Sequence, residues 1–145
     1  MKSYKVQNPV LIRFFNRPDK LKKLMDVIKK VKPSEIYLFS DGPKNELDNK
    51  LVEESRSIAC DINWNCKVEK QFLNKNIGAS NAGYQGINWF FKSVEQGIVL
   101  EDDLIPNICF FKFCDELLEY YKTDARVGMV TGNNFQNGIL RGDAS

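Results

Sequence analysis

Histidine is absent from this sequence of 145 residues, and the four cysteines follow no metal-binding spacing. Without imidazole the chain cannot build Ser-His-Asp or Cys-His catalysis, nor most transition-metal sites. No CxxC pair is present, which disfavours zinc and dithiol chemistry, and Cys109 and Cys114 are expected to be buried free thiols in an apolar stretch. A metal bound here would therefore have oxygen ligands, which favours magnesium, manganese or calcium.

Long apolar runs and a strong excess of one charge are also missing. No run approaches the roughly 20 apolar residues of a membrane span, and Arg13 interrupts the N-terminal run, which makes it a poor signal peptide. A net charge of +2 gives no case for nucleic-acid binding, which usually needs a strongly basic surface. We predict one domain over residues 1–145, in the cytoplasm or at the cytoplasmic face of a membrane. The first helix is rich in lysine, which is typical of a solvated face and leaves a peripheral membrane contact as the alternative.

Strand and helix patterns alternate along the chain. Apolar runs predict strands, and residues at helical spacing predict helices. The predicted strands cover 9–15, 35–39, 65–72, 98–100 and 127–131; the predicted helices cover 18–31, 44–60, 78–94 and 106–121. This alternation predicts an α/β fold, a three-layer α/β/α arrangement around a mostly parallel sheet, with the third strand half exposed at an edge. The expected inward faces are Leu21, Leu24, Met25, Ile28 and Val31 in the first helix, and Leu47, Leu51, Val52, Ser55 and Ile58 in the second.

Polar residues follow three of the predicted strands where each strand ends. The first strand runs into Asn16-Arg17, the second into Ser40-Asp41-Gly42, and the fourth into Glu101-Asp102-Asp103. Because ligands in open α/β sheets bind beyond the carboxyl ends of the strands, we expect these side chains to form one site.

The residue types at this edge favour a metal-bridged nucleotide diphosphate. Adjacent Asp102 and Asp103 suit a hard cation that is completed by water and phosphate oxygens. Arg17 suits a phosphate, and Gly78, before the third helix, lets backbone approach a ligand closely. Two alternatives remain: a non-catalytic nucleotide- or metal-binding module, and a magnesium-dependent phosphoryl-transfer domain resembling a response regulator. The second is disfavoured, because the first and third strands end in Asn16-Arg17 and Asn74-Lys75 where such a domain needs aspartates.

Four segments of the chain stand in a characteristic order: PVLIRFFNRPDKL, SDGPK, NIGASNAGYQGINWFF and GIVLEDDLIPNICFFKFCDELLEYY. Taken together, they resemble the nucleotide-binding half of GT-A fold glycosyltransferases, the nucleotide-diphospho-sugar transferases. The pattern is closest to N-acetylglucosaminyltransferase I-like enzymes and their bacterial relatives, in which EDD is the form of the DxD motif. The resemblance spans about residues 9–134.

The resemblance implies a role for each matching residue. Asp103 would bind Mn²⁺ or Mg²⁺, Asp102 would face the ribose or a metal-bound water, and Glu101 would orient the site. Asp41 would accept a hydrogen bond from the base. The remaining positions would line the nucleotide: Phe15 and Arg17 at the base and phosphate, and Gly78 and Ser80 in the loop beneath it.

The resemblance also implies the partners. The donor would be a nucleotide-diphosphate sugar, most simply a UDP-sugar, and the acceptor an unknown glycan or lipid. The polar, glycine-rich stretch 132–145 resembles a loop rather than the acceptor-binding half of such enzymes, so the chain is expected to be a truncated, donor-binding part that is inactive alone. An unpaired sheet edge would make a homodimer plausible.

Overall fold

The computed structural model describes residues 4–132, which form four strands and four helices in alternation. All four strands are parallel, and they lie in the order β3-β2-β1-β4. The strands are β1 (Val10–Phe14), β2 (Glu35–Ser40), β3 (Lys67–Phe72) and β4 (Ile98–Glu101); the helices are α1 (Pro18–Val31), α2 (Glu46–Cys60), α3 (Ala79–Ser93) and α4 (Ile108–Tyr120). The predicted α/β class and the parallel sheet are confirmed.

The order of the strands determines where the helices lie. The chain steps from β1 to β2 to β3 in one direction, and then returns past β1 to form β4 on its other side. Because parallel crossovers are right-handed, this reversal places α3 on the opposite face from α1 and α2. Two buried clusters, one on each face, agree with this: α1, α2 and α4 contribute to the larger, and α3 to the smaller. The arrangement is compatible with a three-layer α/β/α fold.

Helix α1 follows its sequence pattern closely. All five predicted inward residues are buried: Leu21, Leu24, Met25, Ile28 and Val31. Pro18 occupies the first turn, where the missing N–H costs no intrahelical hydrogen bond. Lys32 ends the helix in the left-handed conformation, with φ at 41°, before Pro33 prevents continuation.

Helix α2 buries only part of its predicted inward face. Leu47 is 85% exposed and Leu51 is also exposed, so the prediction that these two face inward is wrong. Val52 and Ser55 are buried as predicted, together with Ala59, and Ile58 packs against the larger core. Arg56 lies on the same face; it donates to the Leu73 carbonyl oxygen at 2.6 Å and to Ser40 Oγ at 3.2 Å, and its guanidinium lies over the ring of Phe72. These polar contacts connect α2 to the ends of β2 and β3.

The predicted fifth strand at 127–131 is wrong: this segment is irregular. Gly128 lowers its β propensity, and Met129 is 83% exposed, so burial gives little drive for strand pairing. Within residues 4–132, β3 and β4 are therefore the two edges of the sheet, and the predicted edge position of β3 is confirmed. The expected loop at the C-terminal end lies, from residue 133 onward, outside the described residues.

A buried carboxylate fastens the N-terminal segment to α4. Asp115 accepts hydrogen bonds from the Tyr4 hydroxyl, from the Gln7 N–H at 2.9 Å, and from Asn8 Nδ2 at 2.6 Å. Burial raises the pKa of the Tyr4 hydroxyl, and the hydrogen bond to Asp115 raises it further. It holds the chain that leads into β1 against α4.

The cysteines are all free thiols in the described residues. Cys114 is buried, as predicted, and burial raises its pKa to about 11. Cys109 is exposed, so the prediction that it is buried is wrong. It lies in the first turn of α4, on a side of the helix that does not face the sheet. None of the helices within residues 4–132 has the length and apolar character needed to cross a bilayer.

Candidate functional site

A cleft of about 440 Å³ lies at the carboxyl ends of β1, β2 and β4, beside the N-terminus of α3. Its position follows from the strand order, since β1 and β4 meet where the direction of strand addition reverses. The cleft brings together these predicted site residues: Phe15, Arg17, Asp41, Ser80, Glu101, Asp102 and Asp103. Gly78 does not line it but directly precedes Ala79, which does.

The three acidic residues at the end of β4 have different environments. Asp102 is buried, with 7% exposure, and its Oδ2 accepts a hydrogen bond from the Phe15 N–H at 3.2 Å. Glu101 and Asp103 are much more exposed. Asp102 therefore joins the ends of β1 and β4, while its neighbours present their carboxylates at the opening.

Arginine side chains are the cations that contact these acids. Arg17 Nη1 lies 3.0 Å from Asp103 Oδ2 and 3.6 Å from Asp102 Oδ1. Arg13 Nη1 lies 3.2 Å from Glu101 Oε1. Arg17 thus touches both aspartates that the sequence pointed to as metal ligands.

Burial raises the pKa of Asp102, and the negative charges of Asp103 and Glu101 raise it further. The Phe15 N–H and Arg17 oppose this shift, but the net direction is upward. A raised pKa in the folded state means that ionisation of Asp102 destabilises the fold. The stability that Asp102 contributes is complete below the unfolded-state pKa of about 4 and is lost as the pH rises through the folded-state pKa.

Replacing Asp102 with asparagine should therefore stabilise the ligand-free protein at pH 7. The amide oxygen can still accept from the Phe15 N–H, and the buried charge is gone. We expect a gain of up to about 1 kcal/mol in the free energy of unfolding at pH 7, which disappears near pH 4. Urea unfolding at both pH values measures this, with Asp103→Asn as the control for charge loss at an exposed neighbour. An Asp102→Asn protein that is less stable than wild type at pH 7 would contradict the expectation.

Asp41 is anchored by three donors. Its Oδ1 accepts from the N–H groups of Gly42 at 2.8 Å and Ile77 at 3.0 Å, and its Oδ2 accepts from Asn76 Nδ2 at 3.0 Å. Asp41 is only 5% exposed yet lines the cleft. Its carboxylate is thus held rigidly, and Oδ2 keeps a lone pair for a ligand donor.

The loops after β2 and β3 are in direct backbone contact. A Cβ on Gly42 would lie 2.4 Å from the Lys75 carbonyl carbon, so only glycine fits there. Asn76 donates to the Gly42 carbonyl oxygen at 2.9 Å and accepts from the Gly78 N–H at 3.1 Å. Gly78 has φ at 84°, a conformation that favours glycine, and it turns the chain into α3.

The N-terminus of α3 opens into the cleft without a cap. Gly78 provides no side-chain cap, whereas Asn45 and Asn107 cap α2 and α4. Ala79 and Ser80 line the cleft, and Ser80 is exposed. Uncapped N–H groups and the helix dipole together favour an anion at this position.

Three polar lining residues were not predicted as site residues from the sequence: Arg13, Lys44 and Asn76. Lys44 Nζ lies 5.6 Å from the centroid of the Phe15 ring, a cation–π contact that connects the first two strand ends. Arg13 could have been recognised from the sequence, because it is a charged residue inside an otherwise apolar central strand. Lys44 and Asn76 lie a few positions from predicted site residues in the sequence, but loop conformation decides whether their side chains point into the cleft.

The charges of the cleft nearly balance. Arg13, Arg17 and Lys44 face Asp41, Glu101, Asp102 and Asp103, so the acids exceed the cations by one. Within residues 4–132 no group of three or more acidic or cysteine side chains is arranged to hold a metal. A divalent ion would fit here with ligands from Asp103 and Asp102 only if phosphate and water completed its shell, as Mg²⁺ and Mn²⁺ often allow.

Comparison of the chain with protein-family models, curated protein sequences and solved structures returned no match. The geometry of the cleft is thus the basis for a functional proposal.

Proposed function

We propose that this chain is the donor-binding domain of a GT-A type glycosyltransferase, which holds a UDP-sugar with Mn²⁺ or Mg²⁺. The observation that supports this best is the pairing of two chemistries in one cleft. A rigid carboxylate, Asp41, lies at the end of β2, and a pair of aspartates with Arg17 lies at the end of β4. A nucleotide diphosphate has matching groups at its two ends.

The base would lie toward Asp41. Uracil carries an imide N–H, which can donate to Asp41 Oδ2, the oxygen with the fewer protein donors. The ring of Phe15 and the ammonium group of Lys44 lie nearby and offer an apolar face and a positive charge. This half of the cleft would confer base selectivity, because its donors and acceptors are fixed by backbone contacts.

The diphosphate would lie between the N-terminus of α3 and the acids of β4. Arg17 would exchange its contact with Asp103 for a phosphate oxygen, and the uncapped N–H groups of α3 would face the same anion. A divalent ion bound by Asp103 and Asp102 would neutralise charge on the diphosphate as it leaves the sugar. Arg17 would stabilise the same developing charge.

The complete transfer reaction would also need an acceptor site and, in an inverting enzyme, a general base. The proposed donor site occupies the cleft, and we assign neither an acceptor site nor a general base among residues 4–132. We therefore propose that the chain alone binds the donor but does not transfer the sugar efficiently.

A non-catalytic nucleotide-binding module is the second candidate. It is favoured by one observation, namely that Arg13 and Arg17 already form ion pairs with the acids of β4. In such a module the nucleotide would bind equally well with and without a divalent ion.

Thermal unfolding with a ligand panel tests the proposal. A ligand that selectively binds the native state at about 100 times its Kd stabilises by about 2.7 kcal/mol, which corresponds to about 5–10 °C for a domain of this size. We expect UDP or a UDP-sugar with Mn²⁺ to give this shift, and UDP with EDTA a much smaller one. Equal shifts with and without metal would favour the non-catalytic module. A response to acetyl phosphate alone would favour a phosphoryl-transfer domain and contradict the proposal.

A further inference from the structure

Arg13 is a charged residue within the central strand of the sheet. Its neighbours Ile12 and Phe14 are buried in the larger core, and Leu11 is buried in the smaller one. Arg13 points to the α3 face, in register with Phe39 of β2 and Glu101 of β4. A guanidinium in this position loses water contacts, which is costly unless a partner replaces them.

The partner that the protein provides is incomplete. Arg13 Nη1 lies 3.2 Å from Glu101 Oε1, and the Glu101 side chain is 54% exposed. The Arg13 side chain is only 19% exposed, and its guanidinium donates no hydrogen bond with good geometry to any residue in the described part of the chain. Most of its five N–H donors therefore have no protein acceptor within residues 4–132, and the side chain lines the cleft.

Helix α3 makes room for this guanidinium. A Cβ on Gly83 would lie 2.8 Å from Arg13 Nη2, so the glycine allows the guanidinium to approach the helix closely. Glycine inside a helix costs about 1 kcal/mol relative to alanine. The sequence accepts this cost at a position where the three atoms nearest to the Cβ would all belong to the Arg13 guanidinium.

The ion pair also sets the direction of the guanidinium along the cleft. It turns toward β4 and the aspartates, away from Asp41 at the end of β2. If the base lies at Asp41, Arg13 lies toward the other end of the ligand.

We propose that Arg13 is a specificity-determining residue that binds the distal part of the donor, its β-phosphate or the sugar attached to it. This inference rests on the proposed function. Arg13 and Arg17 then contact the ligand from two sides: Arg17 from the exposed rim, and Arg13 from the floor against α3. The planar guanidinium offers paired donors, which suit two phosphate oxygens or two sugar hydroxyls.

Calorimetry of Arg13→Gln with uridine ligands and Mn²⁺ tests the assignment. We expect the Kd for UDP or a UDP-sugar to rise at least about tenfold, since charge-assisted hydrogen bonds are lost, and the Kd for UMP to change less than about twofold. A loss with both UDP and the UDP-sugar assigns the β-phosphate, and a loss with the UDP-sugar alone assigns the sugar. An equal loss for all three ligands, or no loss, overturns the inference. Lys50→Gln, an exposed charge on α2 outside the cleft, is the control for net charge.

Gly83→Ala provides a second, independent variant. The added methyl group displaces the guanidinium without removing its charge, and alanine favours the helix, so thermal stability should not fall. We expect the same ligand selectivity in the loss of affinity as for Arg13→Gln. Unchanged UDP and UDP-sugar affinity in Gly83→Ala contradicts the inference.

The two proposals fail in different ways. If wild-type protein binds no uridine nucleotide with Mn²⁺, the proposed function fails before Arg13 is considered. If wild type binds UDP and the UDP-sugar more tightly than UMP and Arg13→Gln keeps both differences, the proposed function stands and the role of Arg13 is wrong.

Discussion

Asp103→Ala is expected to abolish the effect of Mn²⁺ on nucleotide binding. In wild type we expect UDP to bind about 10- to 100-fold more tightly with Mn²⁺ than with EDTA, the usual range for two coupled ligands. In Asp103→Ala this ratio should fall to within about twofold of unity. The ratio, rather than the affinity itself, is the quantity that tests the role of the carboxylate.

The charges of the cleft explain why the ratio is the right measure. Removing Asp103 equalises the acidic and cationic side chains that line the cleft, and it frees Arg17 from its 3.0 Å contact. Metal-free UDP binding should then stay the same or become tighter, because the site is more positive. Only the metal-dependent part of the affinity is expected to disappear.

Calorimetry with UDP in Mn²⁺ and in EDTA gives the four affinities that are needed. Asp26→Ala is the matched control, since Asp26 is exposed on α1 and lies outside the cleft. The fold of Asp103→Ala should be intact, because this half-exposed carboxylate contributes only an exposed ion pair, worth about 0–1 kcal/mol. A wild-type ratio that survives in the variant would remove Asp103 from the metal site.

The parts of the fold that sequence predicted well are those in which local pattern and burial agree. The five apolar positions of α1 repeat at helical spacing and all reach the core, and the apolar runs of β1 and β2 form the central strands. The pattern of α2 was correct for Val52 and Ser55 but misleading for Leu47 and Leu51, which have helical spacing and yet are exposed. The hydrogen bonds of Arg56 to the strand ends join residues 16 and 17 positions apart and leave no trace in periodicity.

The candidate site could be predicted from the sequence to about the same extent as the fold. Parallel strands end at one edge, so Arg17, Asp41 and Asp103 could be placed together from topology alone. Which of the two aspartates is buried could not be predicted from topology. Asp102 differs from Asp103 in accepting a hydrogen bond from the Phe15 N–H, which is 87 positions away in the chain. The floor of the cleft was missed for the same reason: Arg13 becomes informative only beside Glu101 and Gly83, which other elements supply.

Arg17→Gln is expected to change the two ligand affinities in opposite directions. Arg17 contacts both Asp102 and Asp103, so it occupies the side of these carboxylates that a divalent ion would need. Removing it should tighten the binding of Mn²⁺ alone by about two- to fivefold, the size of an exposed ion pair. It should weaken UDP binding at least about tenfold, because a charge-assisted contact to phosphate is lost.

This opposition reflects an exchange of partners. Without nucleotide, Arg17 would compete with the metal for the same oxygens; with nucleotide, the diphosphate would attract Arg17 and leave the aspartates to the metal. Under the proposed function this exchange would make Mn²⁺ and UDP bind cooperatively, and by linkage each would strengthen the other by the same factor. The factor should be smaller in Arg17→Gln than in wild type, since the competitor is gone.

Electron paramagnetic resonance of free Mn²⁺ measures the metal affinity directly, with and without UDP, and needs no transfer activity. Arg17→Lys keeps the charge but not the two-pronged geometry, so it should bind Mn²⁺ alone about as wild type does and bind UDP at an intermediate level. Lys50→Gln controls for the general loss of a positive charge. Weaker binding of Mn²⁺ alone in Arg17→Gln would mean that the arginine supports the metal site instead of competing for it, and the exchange would then be wrong.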